Sequence, residues 1–318
     1  MDMNVIDIEC DIPTREVYQA ILDDVRQGKI DQGMANYLNI FGPGWAASVG
    51  MSPEQFEEAK GEVGITKIYE RIIENFVENA ESEEGFLEML DAAGVSHACI
   101  GTGWFATIEH TAGLADRHRS RLIPWFRISP FKGMTGVREL ERNVRELGFK
   151  GFYVSSFRDG IYANDKKHYP YYAKCVELGI PIRFHTSMNY ASDKAMDLGR
   201  PIYLDEVARD FPELTIIAGL GGWPWVPELV GLARRHANLY LDLAAHRPKH
   251  IVKPGSGFEV LLQFGNSLLQ DKVLFASAWM TLSMPLKEVI EEMSELPLKD
   301  SVKKKWMYEN AARILELQ

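Results

Sequence analysis

Three acidic residues alternate along the first apolar segment of the chain, residues 5–13. Asp7, Glu9 and Asp11 occupy every second position, with isoleucine or cysteine between them. Because successive side chains of a strand point to opposite faces, the three carboxylates are expected to share one face. Carboxylates in a buried strand must be paired, hydrogen-bonded or bound to a cation. The pattern therefore predicts a metal site or an acid/base site, and the alternative is a strand with a solvated acidic face.

A histidine at the end of a later apolar segment is the second candidate for chemistry. His185 closes residues 181–185, and Arg183 lies two positions before it, on the same predicted strand face. A carboxylate beside a histidine fixes its tautomer and raises its pKa toward neutrality, which makes the two a general acid/base pair. We therefore expect His185 to hydrogen-bond Glu9 or Asp11, as a catalytic pair or as a purely structural one. Arg183 is expected to bind the substrate or to form a salt bridge with the first-strand acids.

The elements that must position these residues alternate regularly. After residue 84, short apolar strands alternate with helical segments, and with the first strand the total is eight. Such alternation implies parallel strands with right-handed crossovers, and eight of them can close into a barrel. The sequence thus predicts an α/β protein with a single (β/α)₈ TIM-barrel domain over residues 1–318. An open, doubly wound sheet is the alternative, although no glycine-rich nucleotide loop follows the first strand.

One long segment interrupts this alternation. Residues 14–84 lie between the first and second predicted strands and carry apolar residues at helical spacing, which predicts a helical insertion. Within it, residues 41–45 read Phe-Gly-Pro-Gly-Trp and are expected to form a turn-rich loop with an aromatic tip. The insertion is expected to be a lid over the first strand, a dimer element or packing only.

In a barrel of this kind the active site lies at the carboxyl ends of the strands. The side chains expected there are Glu9, Asp11, Trp104, Arg127, Ser155, Arg158, His185, Trp223, Asp242, His246, Arg247, Ser277 and Trp279. Arginine pairs with carboxylates and indole rings form flat apolar walls, so the mixture suits a small anionic substrate that is aromatic or unsaturated. The predicted substrate contacts are Arg127, Arg158, Arg183, Trp104, Trp223 and Trp279.

Composition narrows the class of protein and its partners. With 46% hydrophobic and 25% charged residues, the 318-residue chain has the balance of a globular protein with one large core. Its net charge of -10 and the lack of a basic cluster argue against nucleic acid and anionic membrane surfaces as partners. No apolar run approaches the roughly 18 residues of a membrane span, and no signal peptide is legible. A cytoplasmic location is therefore expected.

Several stretches resemble the amidohydrolase-related branch of the amidohydrolase superfamily, whose members include aminocarboxymuconate semialdehyde decarboxylase and γ-resorcylate decarboxylase. The matching stretches are residues 6–13, 148–151, 181–186, 217–225 (IAGLGGWPW), 238–249 (NLYLDLAAHRPK), 273–277 and 309–315 (ENAARIL). The resemblance covers nearly the whole chain except the insertion. It implies a barrel enzyme, and it implies a homodimer because relatives often pair.

The resemblance also implies a divalent metal, but the chain departs from the usual ligands. Relatives carry His-x-His, or Glu-x-His, where this chain has Glu9-x-Asp11, and the strand-five histidine is kept as His185. A histidine is usual at Gly219, or at Leu220 in a shifted alignment, and the acid that serves as last ligand and general base is replaced by Ala278. One Zn²⁺, Mn²⁺ or Mg²⁺ held by Glu9, Asp11 and His185 is one expectation. A metal-free acid/base site built from the same residues is the other.

The predicted function is enzymatic action on a small, aromatic or unsaturated carboxylate, by decarboxylation or a related lyase or hydrolytic step. Glu9, Asp11 and His185 take the central role, and Asp242 and His246 at the end of the seventh strand are further catalytic candidates. A hydrolase of a lactone or amide is the nearest alternative. A binding or scaffold protein that has lost its metal site is an alternative of another class.

Overall fold

The computed structural model describes residues 4–29, 32–101 and 107–317, and for residues 32–34 only the backbone. Eight parallel strands pair in sequence order, from β1 to β8. They are β1 (Val5–Asp7), β2 (Val95–Ile100), β3 (Leu122–Phe126), β4 (Gly151–Val154), β5 (Ile182–His185), β6 (Ile216–Gly219), β7 (Leu239–Asp242) and β8 (Val273–Leu274). The sheet curls, and backbone hydrogen bonds from Ile8 to Phe275 (3.1 Å) and from Ala278 to Glu9 (2.9 Å) join its first and last strands. The predicted (β/α)₈ barrel is confirmed.

Helices connect all the strands. Five lie between β1 and β2: α1 (Arg15–Arg26), α2 (Gln32–Ser48), α3 (Pro53–Val63), α4 (Ile65–Glu78) and α5 (Glu83–Ala92). The following ones are α6 (Ile108–Arg117), α7 (Gly133–Leu147), α8 (Ser156–Asp159), α9 (Tyr169–Leu178), α10 (Tyr203–Asp210) and α11 (Val226–Arg235). The last are α12 (Pro248–Ile251), α13 (Glu259–Gly265), α14 (Trp279–Leu282), α15 (Leu286–Ser294), α16 (Asp300–Lys304) and α17 (Asn310–Ile314). Short 3₁₀ turns at Pro130–Lys132, Met196–Gly199 and Leu220–Gly222 and a π-helical turn at Lys305–Glu309 complete the chain.

Alternation along the strands divides the core into two layers. In β6, Ile216 and Ala218 pack in the large cluster that the surrounding helices share, whereas Ile217 packs in a smaller cluster built mainly from strand residues. The same period of two places Arg183 and His185 of β5 on the face that turns away from the helices. Side chains on that face fill the lumen of the barrel and, at the carboxyl ends of the strands, form its open end.

The first strand departs from the predicted alternation. Regular strand geometry ends at Asp7, and residues 8 and 9 form a bend. Ile6 and Ile8 belong to the smaller cluster, the one that contains Ile217 and fills the lumen of the barrel. The buried carboxylate of Asp7 accepts hydrogen bonds from the N–H and hydroxyl of Ser277. The three carboxylates therefore do not share one strand face as the sequence predicted, because the bend changes the direction of the side chains that follow it.

The segment after β1 packs as helices over the carboxyl ends of the strands. α1 and α4 share an apolar cluster that includes Tyr18, Leu22 and Tyr69. The loop predicted at residues 41–45 was wrong: these residues lie inside α2, and Pro43 is within the helix. The two flanking glycines serve close packing instead of a turn, since a Cβ on Gly42 would lie 2.9 Å from the ring of Phe56.

Within the described ranges, no helix has both the length and the hydropathy that crossing a membrane requires.

Candidate active site

A cavity of about 280 Å³ lies at the carboxyl ends of the strands, between the barrel and helices α1, α2 and α4. Its floor is formed by strand ends and holds Glu9, Asp11, Tyr153 and His185. Its roof is formed by the helices after β1 and is largely aromatic, with Tyr37, Phe41, Trp45, Tyr69 and Phe76. Two of the predicted acids and the predicted histidine therefore meet at one cavity, whereas Asp7 does not line it.

Glu9 stands on the floor beside a buried cation. Its carboxylate accepts a hydrogen bond from Nη2 of Arg183, and its side chain is 13% exposed. Burial raises the pKa of Glu9 to about 7, the positive charge of Arg183 opposes that shift, and the neighbouring Asp242 and Asp11 add to it. Glu9 is thus a buried carboxyl held by a cation, with a pKa above that of an exposed glutamate.

Asp11 is the second floor acid, and it is held by the backbone. One of its oxygens accepts the N–H of Met280 at 2.9 Å, in the first turn of α14. Burial raises the pKa of Asp11 to about 7, although this hydrogen bond favours the ionised form. In the described part of the chain no cation pairs with it. A carboxyl in this state can give or take a proton near neutral pH.

Arg183 and Asp242 form the buried ion pair beneath the floor. Nε of Arg183 donates to Asp242 at 2.7 Å and Nη2 donates to the other oxygen at 3.1 Å, while both side chains are fully buried. Asp242 also accepts the backbone N–H groups of Leu220 and Ala244, each at 3.0 Å. Of the two roles predicted for Arg183, the structure shows the salt bridge to a first-strand acid. Asp242 orients that arginine and does not line the cavity.

His185 lies on the floor without the partner that the sequence predicted. Its ring packs edge-on against Phe157, with 4.7 Å between centroids, and its Nδ1 has no hydrogen-bond partner among the described residues. Burial lowers the pKa of His185 to about 3, and the charges of Arg183 and Arg158 lower it further. The expected rise in pKa was wrong, because the nearest charges are positive and Glu9 is occupied by Arg183. His185 is a neutral imidazole at physiological pH.

His246 and Trp223 complete one side of the cavity. Nε2 of His246 donates to the carbonyl of Leu220 at 2.9 Å, and burial lowers the pKa of His246. The indole N–H of Trp223 donates to the carbonyl of Ser256 at 3.2 Å, and its ring lines the cavity. His246, predicted as a catalytic candidate, and Trp223, predicted as a substrate contact, both line the cavity.

The arginines predicted as substrate contacts have other partners. Arg127 forms an ion pair with Asp159, and it does not line the cavity. Arg158 is in α8 and is absent from the lining; burial lowers its pKa to about 10, and Arg127 adds to the shift. No lysine or arginine lines the inner cavity within the described ranges. The stretch 102–106 that falls outside them contains neither residue type.

The other two predicted indole contacts are Trp279 and Trp104. Trp279 packs against the large helix-facing cluster and is not part of the cavity wall. Trp104 lies outside the described residues.

A wider outer chamber of about 650 Å³ continues from the cavity and shares Phe41, Trp223 and His246 with it. Its wall carries side chains from the segment after β7: Arg247, which pairs with Glu292, the exposed Lys253, and the exposed His250, whose pKa is lowered by partial burial and by nearby cations. Lys253 thus places positive charge at the mouth, whereas the cation at the floor, Arg183, lies beneath Glu9 and does not line the cavity.

Backbone strain is concentrated around the floor. Leu220, Ala245 and Ala278 follow β6, β7 and β8, and all three line the cavity with positive φ angles of 64°, 59° and 44°. Non-glycine residues adopt this conformation at a cost of about 1–2 kcal/mol, and such residues cluster at functional sites. The strain therefore marks the same strand ends as the acids do.

Sequence reasoning missed the aromatic roof and Tyr153. Tyr37, Phe41 and Trp45 are spaced four residues apart, which is one face of a helix, but the intervening Gly-Pro-Gly sequence favours a turn. Tyr153 lies two positions before Ser155 in β4, so the period of two that selected Ser155 also selects Tyr153. Its ring lies 5.8 Å from the Arg183 guanidinium, and burial raises the pKa of Tyr153 to about 12.

Comparison with known proteins identifies the family. The family model for amidohydrolases matches residues 74–317. The chain belongs to the amidohydrolase family. No match to a curated protein is significant.

Solved structures of similar fold include an uncharacterized protein and two decarboxylases. An uncharacterized TIM-barrel protein from Bordetella bronchiseptica is 23% identical over 99% of each chain, with a TM-score of 0.70. The 5-carboxyvanillate decarboxylase of Novosphingobium aromaticivorans, which contains manganese and 3-methoxy-4-hydroxy-5-nitrobenzoic acid, is 18% identical over 99% of this chain and 97% of its own, with a TM-score of 0.65. The 2,6-dihydroxybenzoate decarboxylase of Rhizobium is 16% identical over 75% of this chain and 89% of its own, with a TM-score of 0.57. At these identities the likeness shows the shared fold.

The residues of this site do not fit the divalent ion that some of these structures contain. Among the described residues, no three His, Cys, Asp or Glu side chains are arranged to hold a metal ion, so Glu9, Asp11 and His185 do not form the predicted ligand set. Glu9 is bound to a guanidinium. A side chain at Gly219 would collide with that guanidinium, and Ala278 offers no donor.

Proposed function

We propose that this member of the amidohydrolase family is a lyase that decarboxylates a small aromatic or unsaturated carboxylate in the cavity between barrel and roof. Asp11 is the proton donor of this reaction, and Glu9, which is held by Arg183, lies beside it on the cavity floor. The single observation that carries the proposal is the pair of cavity-lining carboxyls with pKa values of about 7 beneath an aromatic roof.

The aromatic roof fits a planar ring. Tyr37, Phe41 and Trp45 present ring faces and edges from one side of α2, which is how aromatic side chains hold another ring. The cavity is near the lower end of the size range of ligand pockets, about 300–1,000 Å³, so it suits a one-ring substrate. Most of its wall is apolar, and its polar groups lie on the floor.

The proton transfer balances without an external reactant. The protonated carboxyl of Asp11 gives its proton to the ring carbon that bears the carboxylate, and the bond between that carbon and the carboxylate breaks. CO₂ leaves, the electron pair stays on the ring carbon in its new C–H bond, and Asp11 is left as a carboxylate. Solvent then protonates Asp11 again. A donor whose pKa is near the working pH is suited to this step.

The placement of charge favours loss of CO₂. A carboxylate next to Glu9 and Asp11, in a cavity without a lining cation, is less well solvated than in water. Carbon dioxide carries no charge and loses little solvation free energy there, so the cavity favours the products over the bound carboxylate. The positive side chains of Arg247 and Lys253 attract an anion to the mouth, which matters because the chain as a whole is acidic.

Structural neighbours support the choice of substrate class. The decarboxylases with this fold are named for 5-carboxyvanillate and 2,6-dihydroxybenzoate, which are aromatic carboxylates. We adopt these two compounds as the first probes for the chain.

The test is turnover of a panel of hydroxylated benzoates, followed by chromatography of the decarboxylated ring. In D₂O the product is expected to carry deuterium at the carbon that lost CO₂. Asp11→Asn is expected to remove turnover and Asp23→Asn, an exposed acid on α1, to leave it unchanged. Binding of the acids without turnover by the wild-type protein would contradict the proposal and favour a scaffold function.

Hydrolysis of a lactone or amide is the second candidate, because a carboxylate with a pKa of about 7 is also a competent general base for water. The two reactions require opposite protonation states. If Asp11 acts as the acid, kcat/KM falls as the pH rises through about 7. If it acts as the base, kcat/KM rises over the same interval, and the pH profile on each substrate class decides between them.

A further inference from the structure

The centre of the site already contains a cation that belongs to the chain. Arg183 projects from β5, and its guanidinium binds Glu9, which follows β1, and Asp242, which ends β7. The guanidinium is fully buried. One side chain therefore links three strand ends and neutralises charge at the point where they converge.

Gly219 is the second half of this arrangement. It ends β6 and pairs with His185 across the sheet. A Cβ at this position would lie 2.5 Å from Nη2 and 2.7 Å from Cζ of Arg183, and 2.9 Å from the backbone carbonyl of Phe184. The guanidinium thus occupies the space in which any side chain of residue 219 would begin. A residue at the end of β6 cannot supply a donor while Arg183 keeps its ion pairs.

The remaining donors do not compensate for this loss. Ala278 contributes a methyl group at the end of the loop after β8, and Asp11 is held by the N–H of Met280. A divalent ion bound to Glu9 would lie beside the guanidinium to which Glu9 is hydrogen-bonded. Like charges repel more strongly in a buried site than in water, because the effective dielectric constant is lower.

We propose that Arg183 is the resident cation of this site and that it, together with Gly219, replaces a divalent metal and its ligand from β6. The site binds no stoichiometric divalent ion. Arg183 acts through Glu9 and is a positioning residue, since it holds that carboxylate at the cavity floor and supplies the positive charge behind it. Manganese in a structural neighbour is a property of that protein and its own donors.

The first experiment measures metal and needs no substrate. The full chain is purified without added ions, incubated with 1 mM MnCl₂ or ZnCl₂, desalted and analysed by elemental mass spectrometry, and its thermal unfolding is recorded in MnCl₂ and in EDTA. We expect well under 0.1 metal ion per chain and the same melting temperature in both solutions. One equivalent of retained metal, or a melting temperature that manganese raises and EDTA lowers, would overturn the proposal.

The second experiment rests on the proposed function and uses the substrate that it identifies. Turnover in EDTA is expected to equal turnover in MnCl₂. Arg183→Lys, which keeps a charge, is expected to retain at least a tenth of the turnover, whereas Arg183→Met loses about a hundredfold or more. Equal turnover of the lysine and methionine variants would refute a role for the charge.

Gly219→Ala tests the same idea without touching the arginine, in case Arg183→Met does not fold. The added methyl is expected to displace the guanidinium and to lower turnover at least tenfold. Gly231→Ala on α11 is the matched control, because a Cβ there meets no atom within 4 Å. If no substrate is turned over at all, the metal measurement still decides the proposal, and the two failures are distinguishable.

Discussion

The floor and the roof of the cavity are built on different principles. On the floor, strand ends hold ionisable groups that are fixed by charge: Arg183 is locked between Glu9 and Asp242, and its position leaves room only for glycine at residue 219. The roof is fixed by packing, since Tyr37, Phe41 and Trp45 of α2 contact one another ring to ring. Changes in the floor should alter folding and chemistry together, whereas changes in the roof should alter substrate binding.

The largest effect is expected from breaking the buried ion pair. Arg183→Met leaves Glu9 and Asp242 without their counter-ion and is expected to lower the free energy of unfolding by about 3–5 kcal/mol, as measured by urea denaturation at pH 7. Arg119→Met is the control, because Arg119 forms an exposed ion pair with Asp116. This substitution should lower the free energy of unfolding by less than about 0.5 kcal/mol. Equal losses in the two variants would show that the floor is not held by charge.

The floor acids should make the protein less stable as the pH rises. Because the pKa of Asp11 is raised to about 7 by folding, the folded state binds the proton more tightly than the unfolded state between about pH 4 and pH 7. Stability from this group is therefore present at low pH and is lost through that interval. Asp11→Asn removes the cost of an ionised carboxylate in the folded state. The free energy of unfolding of this variant should exceed that of the wild type by roughly 2–4 kcal/mol at pH 8, with no difference at pH 4.

Urea denaturation at a series of pH values measures this difference. Glu9 titrates in the same interval, so the two acids contribute jointly and Glu9→Gln should show a similar but smaller gain, because Glu9 is paired with Arg183. If Asp11→Asn lowers the free energy of unfolding by the same amount at pH 4 and at pH 8, the raised pKa of Asp11 is contradicted.

Substitutions in the roof should change substrate binding and leave the chemical step unchanged. Phe41 lines both chambers, and Phe41→Ala is expected to raise KM about tenfold, or roughly 1–2 kcal/mol of binding, with kcat changed less than threefold. Steady-state kinetics on the active substrate measures the split. Phe131→Ala, at a ring that is 60% exposed in the 3₁₀ turn after β3 and does not line either chamber, is the control and should leave both constants unchanged. A fall in kcat with unchanged KM would mean that the roof takes part in chemistry.

The smallest effect concerns backbone strain at the floor. Ala278 has a φ of 44°, so Ala278→Gly should raise the free energy of unfolding by roughly 0.5–1 kcal/mol. Ala312→Gly in α17 should instead lower it by about 1 kcal/mol, because glycine is unfavourable in a helix. Thermal unfolding of the two variants gives opposite shifts if the strain is real.

The floor was more predictable from the sequence than the roof, and the difference has physical causes. The barrel follows from the alternation of apolar strands and helices, and a strand period of two brought His185 and Arg183 to the same face. The bend at residues 8 and 9 could not be predicted, because it depends on the hydrogen bonds that β8 and its loop make to Glu9 and Asp7.

The pKa of His185 was mispredicted for a related reason. Its value depends on which acid Arg183 binds, and the sequence left that open. The Gly-Pro-Gly sequence of the roof usually ends a helix. In α2 the helix continues through it, because Gly42 and Gly44 permit close contact with Phe56 and Ser283, and this packing outweighs the local preference.

The contact between Gly219 and Arg183 also limits how this barrel can change by mutation. A side chain can be introduced at residue 219 only after the guanidinium has moved, and loss of the arginine first leaves two acids uncompensated in the interior. Single substitutions in either order pass through a damaged protein. The two positions should therefore show strong epistasis, and conversion of this site to another donor set requires simultaneous replacement of both residues.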